Sequence, residues 1–251
     1  MTKSHSASCW LVANWPAPAN ISAGVSTRLG GHSIAPYNSL NVANHVGDEA
    51  AAVRQNRHQL TLASGAPQAP CWLKQTHGTD VVDAGAHYLG PPEADASFST
   101  ESGAVCCVMT ADCLPLLVCD RAGVQIAAVH AGWRGLADGI IEKTLARFSA
   151  NADDILVWLG PAISQAAFEV GDEVRDIFLT HDAVANQAFI PSLQGRWMAD
   201  LYGLAKQRLA AVGVTQVYGG QYCTHQDAKR FFSYRRDGVT GRMASMIWMN
   251  R

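Results

Sequence analysis

Met109-Thr-Ala-Asp-Cys-Leu-Pro-Leu-Leu-Val118, followed closely by Ala127-Ala-Val-His-Ala-Gly-Trp-Arg-Gly135, is the part of the sequence that decides the fold. Each half is an apolar run that ends on a chemically capable side chain, Cys113 in the first and His130 in the second. Strands buried on both faces read as near-continuous apolar runs, and a packed sheet can hold a ligand in fixed geometry at its end. Asp120-Arg-Ala-Gly123 is a tight-turn signal between strands predicted at 114–118 and 124–130. It predicts an antiparallel hairpin, so these are not simple βαβ units. A third residue, His77 in Lys74-Gln-Thr-His-Gly-Thr-Asp80, has the same polar, glycine-containing surroundings.

Working outward, a further strand is predicted at 104–109, and others at 155–160, 214–218 and 243–248. Leu136, Ile140, Ile141, Leu145 and Phe148 recur at helical spacing, with Asp138, Glu142, Lys143 and Arg147 opposite, which predicts one helix from 135 onward. Its free N-terminal amides would follow directly on His130 and favour an anion. Further helices are predicted at 50–62, capped by Asp48, and at 170–179 and 199–211. Residues 71–77 read as a strand that delivers His77 to its end. Residues 36–48, rich in Asn and Ser, read as an ordered functional loop. Residues 84–100, with Gly, Pro, Ser and two acids, read as a surface excursion. No repeat or linker interrupts the pattern, so the expectation is one α+β domain over residues 1–251.

Composition narrows the function. Hydrophobic residues make up 48% of the chain and charged residues 16%, as in a globular enzyme. A net charge of −2 and a pI near 6.5, with no extended run of Lys or Arg, argue against nucleic acid as a partner. The first ten residues have no apolar stretch long enough for a signal peptide, and the apolar segment 104–119 is broken by Asp112 and Pro115. The expectation is a cytoplasmic monomer with no membrane span. Seven cysteines, an odd number, several of them inside apolar runs, fit reduced thiols better than a disulfide framework. No Cys-x-x-Cys pair occurs.

Two histidines and one cysteine form a three-ligand set with a fourth tetrahedral position open, the pattern of a catalytic zinc site. Solvent in that position would lose a proton near neutral pH. The spacings are long, and each residue has an ordinary alternative as a packed thiol or a core histidine. Cys106, Cys107 and Cys119 fit that alternative, and Cys106 and Cys107, being adjacent, must face opposite sides of one strand. His5, His32, His45, His58, His87, His181 and His225 read as surface or loop residues. Arg28, Arg134, Arg235 and Arg236 lie in Gly- or Ser-rich stretches, where a guanidinium fork can clamp phosphate or carboxylate or form a structural ion pair. The segment 231–242, Phe-Phe-Ser-Tyr-Arg-Arg-Asp-Gly-Val-Thr-Gly-Arg, combines aromatic surface with donors and suits ring stacking; its alternative is a terminal hairpin packed on the core.

Taken together the motifs resemble the YfiH family, the bacterial laccase-domain or multicopper polyphenol oxidase family. The matching pieces are Ser26-Thr-Arg-Leu-Gly-Gly31, Ser39-Leu-Asn41 with His45-Val-Gly-Asp48, Lys74-Gln-Thr-His-Gly78 and Thr110-Ala-Asp-Cys-Leu-Pro115. His130-Ala-Gly-Trp-Arg-Gly135, Leu159-Gly-Pro-Ala-Ile163 with Phe168-Glu-Val-Gly171, and Phe232-Ser-Tyr-Arg-Arg-Asp-Gly238 complete the set. The resemblance implies a single layered α/β domain with mixed sheets flanked by helices, distantly like a bacterial toxin deamidase. It places zinc ligands on His77, Cys113 and His130, with copper as the other metal. It also implies phosphorolysis of adenosine, inosine and methylthioadenosine, with adenosine deamination as a side activity. The alternatives it carries are an amidase editing wrongly built cell-wall precursors, by metal-activated solvent or by Cys113 as nucleophile with His130 as base, and a phenol oxidase. Arg28, Arg235 and the helix start after Arg134 are its anion-binding candidates. It also recommends Asn41, Gln75 and Ser233 for substrate positioning and Glu169 as a proton relay. A conventional laccase needs about ten histidine ligands, largely in His-x-His pairs; this chain has nine histidines and no such pair.

Overall fold

Alternation along the central strands sends their side chains to two faces, and the apolar residues on both sides demand a layer above and a layer below. A computed structural model describes residues 8–193 and 195–250, so His5 lies outside the described residues. In chain order the strands are β1 Trp10–Val12, β2 Ile21–Ser26, β3 Val81–Asp83, β4 Ala96–Ser99, β5 Val105–Thr110, β6 Leu114–Asp120 and β7 Ile126–Ala131. They continue with β8 Ile155–Leu159, β9 Glu169–Val170, β10 Phe189–Pro191, β11 Trp197–Ala199, β12 Gln216–Gly219 and β13 Met243–Met249. The α-helices are α1 Ala50–Ser64, α2 Trp133–Ala137, α3 Ile140–Leu145, α4 Asp172–His181, α5 Leu201–Ala211 and α6 Tyr234–Asp237. Among the described residues no helix is long and apolar enough to cross a membrane.

A mixed six-stranded sheet has the order β12-β8-β6-β7-β4-β3, and an antiparallel four-stranded sheet the order β1-β2-β13-β5. A small antiparallel sheet, β10-β11-β9, stands apart from both. Leu114, Leu116 and Val118 of β6 face a helical layer that includes Leu136, Ile140, Ile141 and Leu204. Leu117 and Cys119 of the same strand face the four-stranded sheet, meeting Val25, Cys106, Val108 and Ile247. The outer face of that sheet carries Cys107, Met109, Met246 and Trp248 against Leu60 of α1. Cys106 and Cys107 therefore do lie on opposite faces, as their adjacency requires. The mixed α/β architecture has helices on both outsides and two sheets between.

Several local expectations give way to tertiary context. Residues 71–77 form no strand; Cys71 and Lys74 make only isolated bridges to Cys106 and Glu93, and His77 has a positive φ of 62°. The supposed surface excursion 84–100 contains β4, fully buried, paired with β7 on one side and β3 on the other. The single helix from 135 divides into α2 and α3 at Gly139, whose φ of 92° breaks the helical ladder where only glycine sits without strain. Asp48 does not cap α1. Its carboxylate accepts from Ser33 Oγ, Asn41 Nδ2 and the Glu49 amide instead.

The β6–β7 hairpin is antiparallel, as its turn predicted, with Leu114 opposite Ala131 and Pro115 opposite His130. Between β5, in one sheet, and β6, in the other, residues 111–113 cross the gap between the layers. Asp112 makes the turn with φ 89°. Its buried carboxylate accepts from Thr224 Oγ1 at 2.6 Å, Ser233 Oγ at 3.0 Å and the Arg235 amide at 2.7 Å. Replacing Asp112 with alanine strands two buried hydroxyls and an amide, and is expected to lower unfolding free energy by about 3 kcal/mol. Chemical denaturation checks this; a loss under about 1 kcal/mol would show that the carboxylate does not hold the crossing.

Candidate metal centre

His130 is the penultimate residue of β7, and Cys113 immediately precedes β6, so the hairpin register brings Cys113 alongside Gly132. His77 arrives from the loop before β3. The Cys113 sulfur lies 3.8 Å from His77 Nε2, and the two imidazole rings meet edge-on with centroids 4.8 Å apart. The ligand atoms of His77, Cys113 and His130 all lie within 4.8 Å of one another. Tetrahedral zinc with these ligands would set neighbouring ligand atoms roughly 3.3–3.6 Å apart, so a small contraction fits the set to a metal. Gly132 leaves the necessary room. A methyl there would lie 2.8 Å from His77 Cδ2 and 3.2 Å from the Cys113 sulfur.

A buried carboxylate organises two of the three ligands. Asp95 precedes β4 and, by the β4–β7 register, sits beside His130. Its Oδ1 accepts from His130 Nδ1 at 2.7 Å and from the His77 amide at 3.0 Å. Its Oδ2 accepts from the Gly78 amide at 2.7 Å and from the amide and hydroxyl of Thr76. Burial by itself raises a carboxyl, but the bonds from His130, Gly78 and Thr76 outweigh it and bring Asp95 down to about 2. An ionised acceptor at Nδ1 keeps the proton on that nitrogen and leaves Nε2 for a metal.

The thiols divide sharply. Burial raises Cys71 to about 11 and Cys119 to about 12, and pushes Cys106 and Cys107 up as well. Cys113 shifts the other way. Burial again opposes ionisation, but the His130 and His77 imidazoles outweigh it and lower the thiol, which favours the thiolate that a metal requires.

Above the three ligands opens a cavity of about 360 Å³, walled further by His45, Gln75, Met109, Thr110, Ala111, Tyr234 and Arg242. This volume is within the range of small-molecule sites. Arg28, Asn41, Ser233 and Arg235 are not among its lining residues. Arg28 donates to the carbonyls of Asn38 and Ala228, and Arg235 Nη1 to that of Glu169. Ser233 serves Asp112, and Asn41 is buried with its amide tied to Ala43, Asp48 and the backbone of Arg242. Gln75 does line the cavity, but its amide clamps both backbone groups of Met109. Arg236 is fixed by Asp237 and by the carbonyls of Thr224, His225 and Phe231. The amides expected after Arg134 belong to a helix of only five residues, too short to act as the anion site that a long helix offers.

Five residues at or beside the site escaped the sequence reading, one of them His45, a surface or loop residue by sequence that lines the cavity. Asp95 lay in the supposed excursion, where the alternation Ala94-Asp-Ala-Ser-Phe-Ser99 is the signal of a buried strand. Tyr234 and Arg242 were present only as members of the aromatic segment 231–242. Thr110 gave no signal beyond its place in the quoted stretch.

Residues 22–250 match the family described as multi-copper polyphenol oxidoreductase laccase. The chain belongs to that family. It is 52% identical over 239 residues to purine nucleoside phosphorylase YfiH of Escherichia coli, covering 95% of this chain and 98% of that protein. It is likewise 52% identical over 241 residues to a purine nucleoside phosphorylase of Pseudomonas aeruginosa, covering 96% and 98%. A crystal structure of a Neisseria meningitidis protein superposes with a TM-score of 0.93 at 49% identity, covering 97% of this chain and all of that one. In this member of the laccase-like family, the described residues hold one group of three or more potential metal ligands, not the several that a multi-copper cluster needs.

Asp95→Asn keeps the shape but removes the charge and turns an amide NH₂ toward donors. It should weaken zinc binding roughly 10- to 100-fold in chelator competition. Unchanged affinity would mean that Asp95 does not orient the ligands.

Proposed function

We propose that the chain is a zinc-dependent purine nucleoside enzyme that phosphorolyses adenosine, inosine and methylthioadenosine and deaminates adenosine as a side activity. The observation that carries this reading is a three-ligand Cys/His site, with room for a fourth ligand, at the floor of a nucleoside-sized cavity. The names of its relatives support the same substrate class. His77, Cys113 and His130 would hold the metal. When bound, zinc supplies a Lewis acid and acidifies the solvent in its fourth position, the chemistry that hydrolytic attack at purine C6 requires.

The chain's own residues account for the rest. Tyr234 is 61% exposed at the cavity and offers a ring face to a purine. Asp95 holds the His130 Nδ1 proton throughout, so that imidazole keeps one orientation. Gln75 fixes the end of β5 and with it the cavity wall. With a metal in place Cys113 and His130 are both ligands, so the amidase alternative that uses them as nucleophile and base requires a metal-free site. Copper at the same three ligands would form a single centre, not a multi-copper one.

Purified protein carrying about one zinc per chain, the stoichiometry of a single three-ligand site, should convert inosine and phosphate to equal amounts of hypoxanthine and ribose 1-phosphate. Cys113→Ala should lower that rate by roughly 100-fold or more through loss of the metal. Fully metallated protein that releases no base would overturn the assignment, and copper bound at several equivalents per chain would favour the oxidase instead.

A further inference from the structure

Arg242 differs from every other arginine considered above. It lines the cavity beside the metal ligands, and it forms no ion pair among the described residues. Its Nη1 donates to the carbonyls of Thr240 and Gly241, each at 3.0 Å, while its own amide donates to Asn41 Oδ1 at 2.9 Å. These three bonds fix both the backbone and the plane of the guanidinium. The Nε–Nη2 edge has no hydrogen-bond partner among the described residues, and neither nitrogen is a buried orphan. That edge is the fork that receives two oxygens of one anion.

Cys113 and, after it, Asp112 are negative groups whose charge reaches Arg242, and neither bonds its guanidinium, which donates only to carbonyls. Asp112, whose charge reaches Arg242, already receives Thr224, Ser233 and the Arg235 amide. Asp48 is taken up by Ser33, Asn41 and Glu49. His45 lines the same cavity, and burial together with the Arg242 and Arg57 guanidiniums lowers its pKa, which leaves a neutral imidazole able to donate one hydrogen bond. Tyr234 packs its ring 5.9 Å from the Arg242 guanidinium and screens one side of it.

We infer that the Nε–Nη2 edge of Arg242, with His45 at its side, is the subsite for a phosphate group within the metal cavity. The inference rests on the nucleoside reading for the role of that phosphate, but not for its binding. A phosphate group can arrive as free inorganic phosphate or as the 5′-phosphate of a nucleotide. A fork held in place before binding loses little side-chain freedom when the anion arrives.

Calorimetric titration of the zinc-loaded protein with inorganic phosphate tests the subsite directly, alongside Arg242→Gln and Arg242→Lys. Phosphate should bind the wild type at millimolar concentration or below and bind Arg242→Gln roughly 10- to 100-fold more weakly. Arg242→Lys should recover only part of that loss, because an ammonium is a point charge without the fork. In phosphorolysis assays the KM for phosphate should rise by the same factor, with the KM for inosine changing by less than about threefold. No phosphate binding by the wild type, or equal binding by a folded Arg242→Gln or Arg242→Lys, would overturn the subsite. Arg242-dependent binding of phosphate without base release would sustain the subsite while the nucleoside reading fails. Arg242-dependent binding of inosine 5′-monophosphate far tighter than that of phosphate would sustain the subsite and identify the nucleotide as its source.

Discussion

The centre depends on a carboxylate that water cannot reach. Desolvating an ionised acid costs several kcal/mol, and Asp95 meets that cost with three backbone amides, a hydroxyl and an imidazole. Those amides belong to the consecutive residues Thr76, His77 and Gly78, so the chain wraps the carboxylate as a nest wraps an anion. Wrapping forces His77 to a φ of 62°, a conformation that costs a non-glycine residue about 1–2 kcal/mol. Charge-assisted bonds, each roughly twice as strong as neutral ones, offset it. The same group that bends the loop toward the site also sets the tautomer of His130. Two of the three residues that could hold a metal are therefore aimed by one side chain.

The third ligand is placed by the same means on the other side of the site. Among the described residues only His77 and Asp112 combine a side chain with a positive φ, and they flank the centre from different loops. Asp112 turns the chain out of one sheet and into the next, and its carboxylate ties that turn to Thr224, Ser233 and Arg235 from distant parts of the sequence. Strain of this kind persists only where surrounding bonds over-determine it. Ser233 and Arg235, which the family resemblance recommends as substrate contacts, also anchor this crossing, through the Ser233 hydroxyl and the Arg235 amide. Gly132 then supplies clearance, since any side chain there would press on His77 and Cys113.

What the sequence displayed and what it hid follow from how each signal is encoded. Strand ends at Cys113 and His130 were visible because burial on both faces produces uninterrupted apolar runs bounded by a turn. His77 was visible through its polar, glycine-bearing neighbours, but the strand assigned to deliver it was not there, because its position comes from Asp95 and not from a ladder. Asp95 itself was hidden, because a single acid in a Gly- and Pro-containing stretch looks solvated until its five partners are known. The arginines pose a related difficulty. Composition marks every guanidinium in a glycine-rich loop as a possible clamp, and only tertiary contacts reveal that all three nitrogens of Arg236 are occupied whereas one edge of Arg242, at the cavity, is open. The split between α2 and α3 turns on Gly139, whose left-handed backbone leaves the 3.6-residue pattern undisturbed.

The geometry also bears on how one constellation can support different chemistries. A lowered Cys113 beside an oriented His130 has the make-up of a nucleophile–base pair, and with His77 the same two residues could hold a metal. These roles exclude each other, because the lone pair that would take a proton or attack a carbonyl is the one donated to the ion. His77 is exposed, yet its backbone is held by Asp95 and its ring meets the Cys113 sulfur at 3.8 Å and the His130 ring edge-on. Under the proposed reading metal content selects the chemistry, while the Asp95 carboxylate, bonded to the His130 imidazole and to the His77 amide, orients both residues in either case.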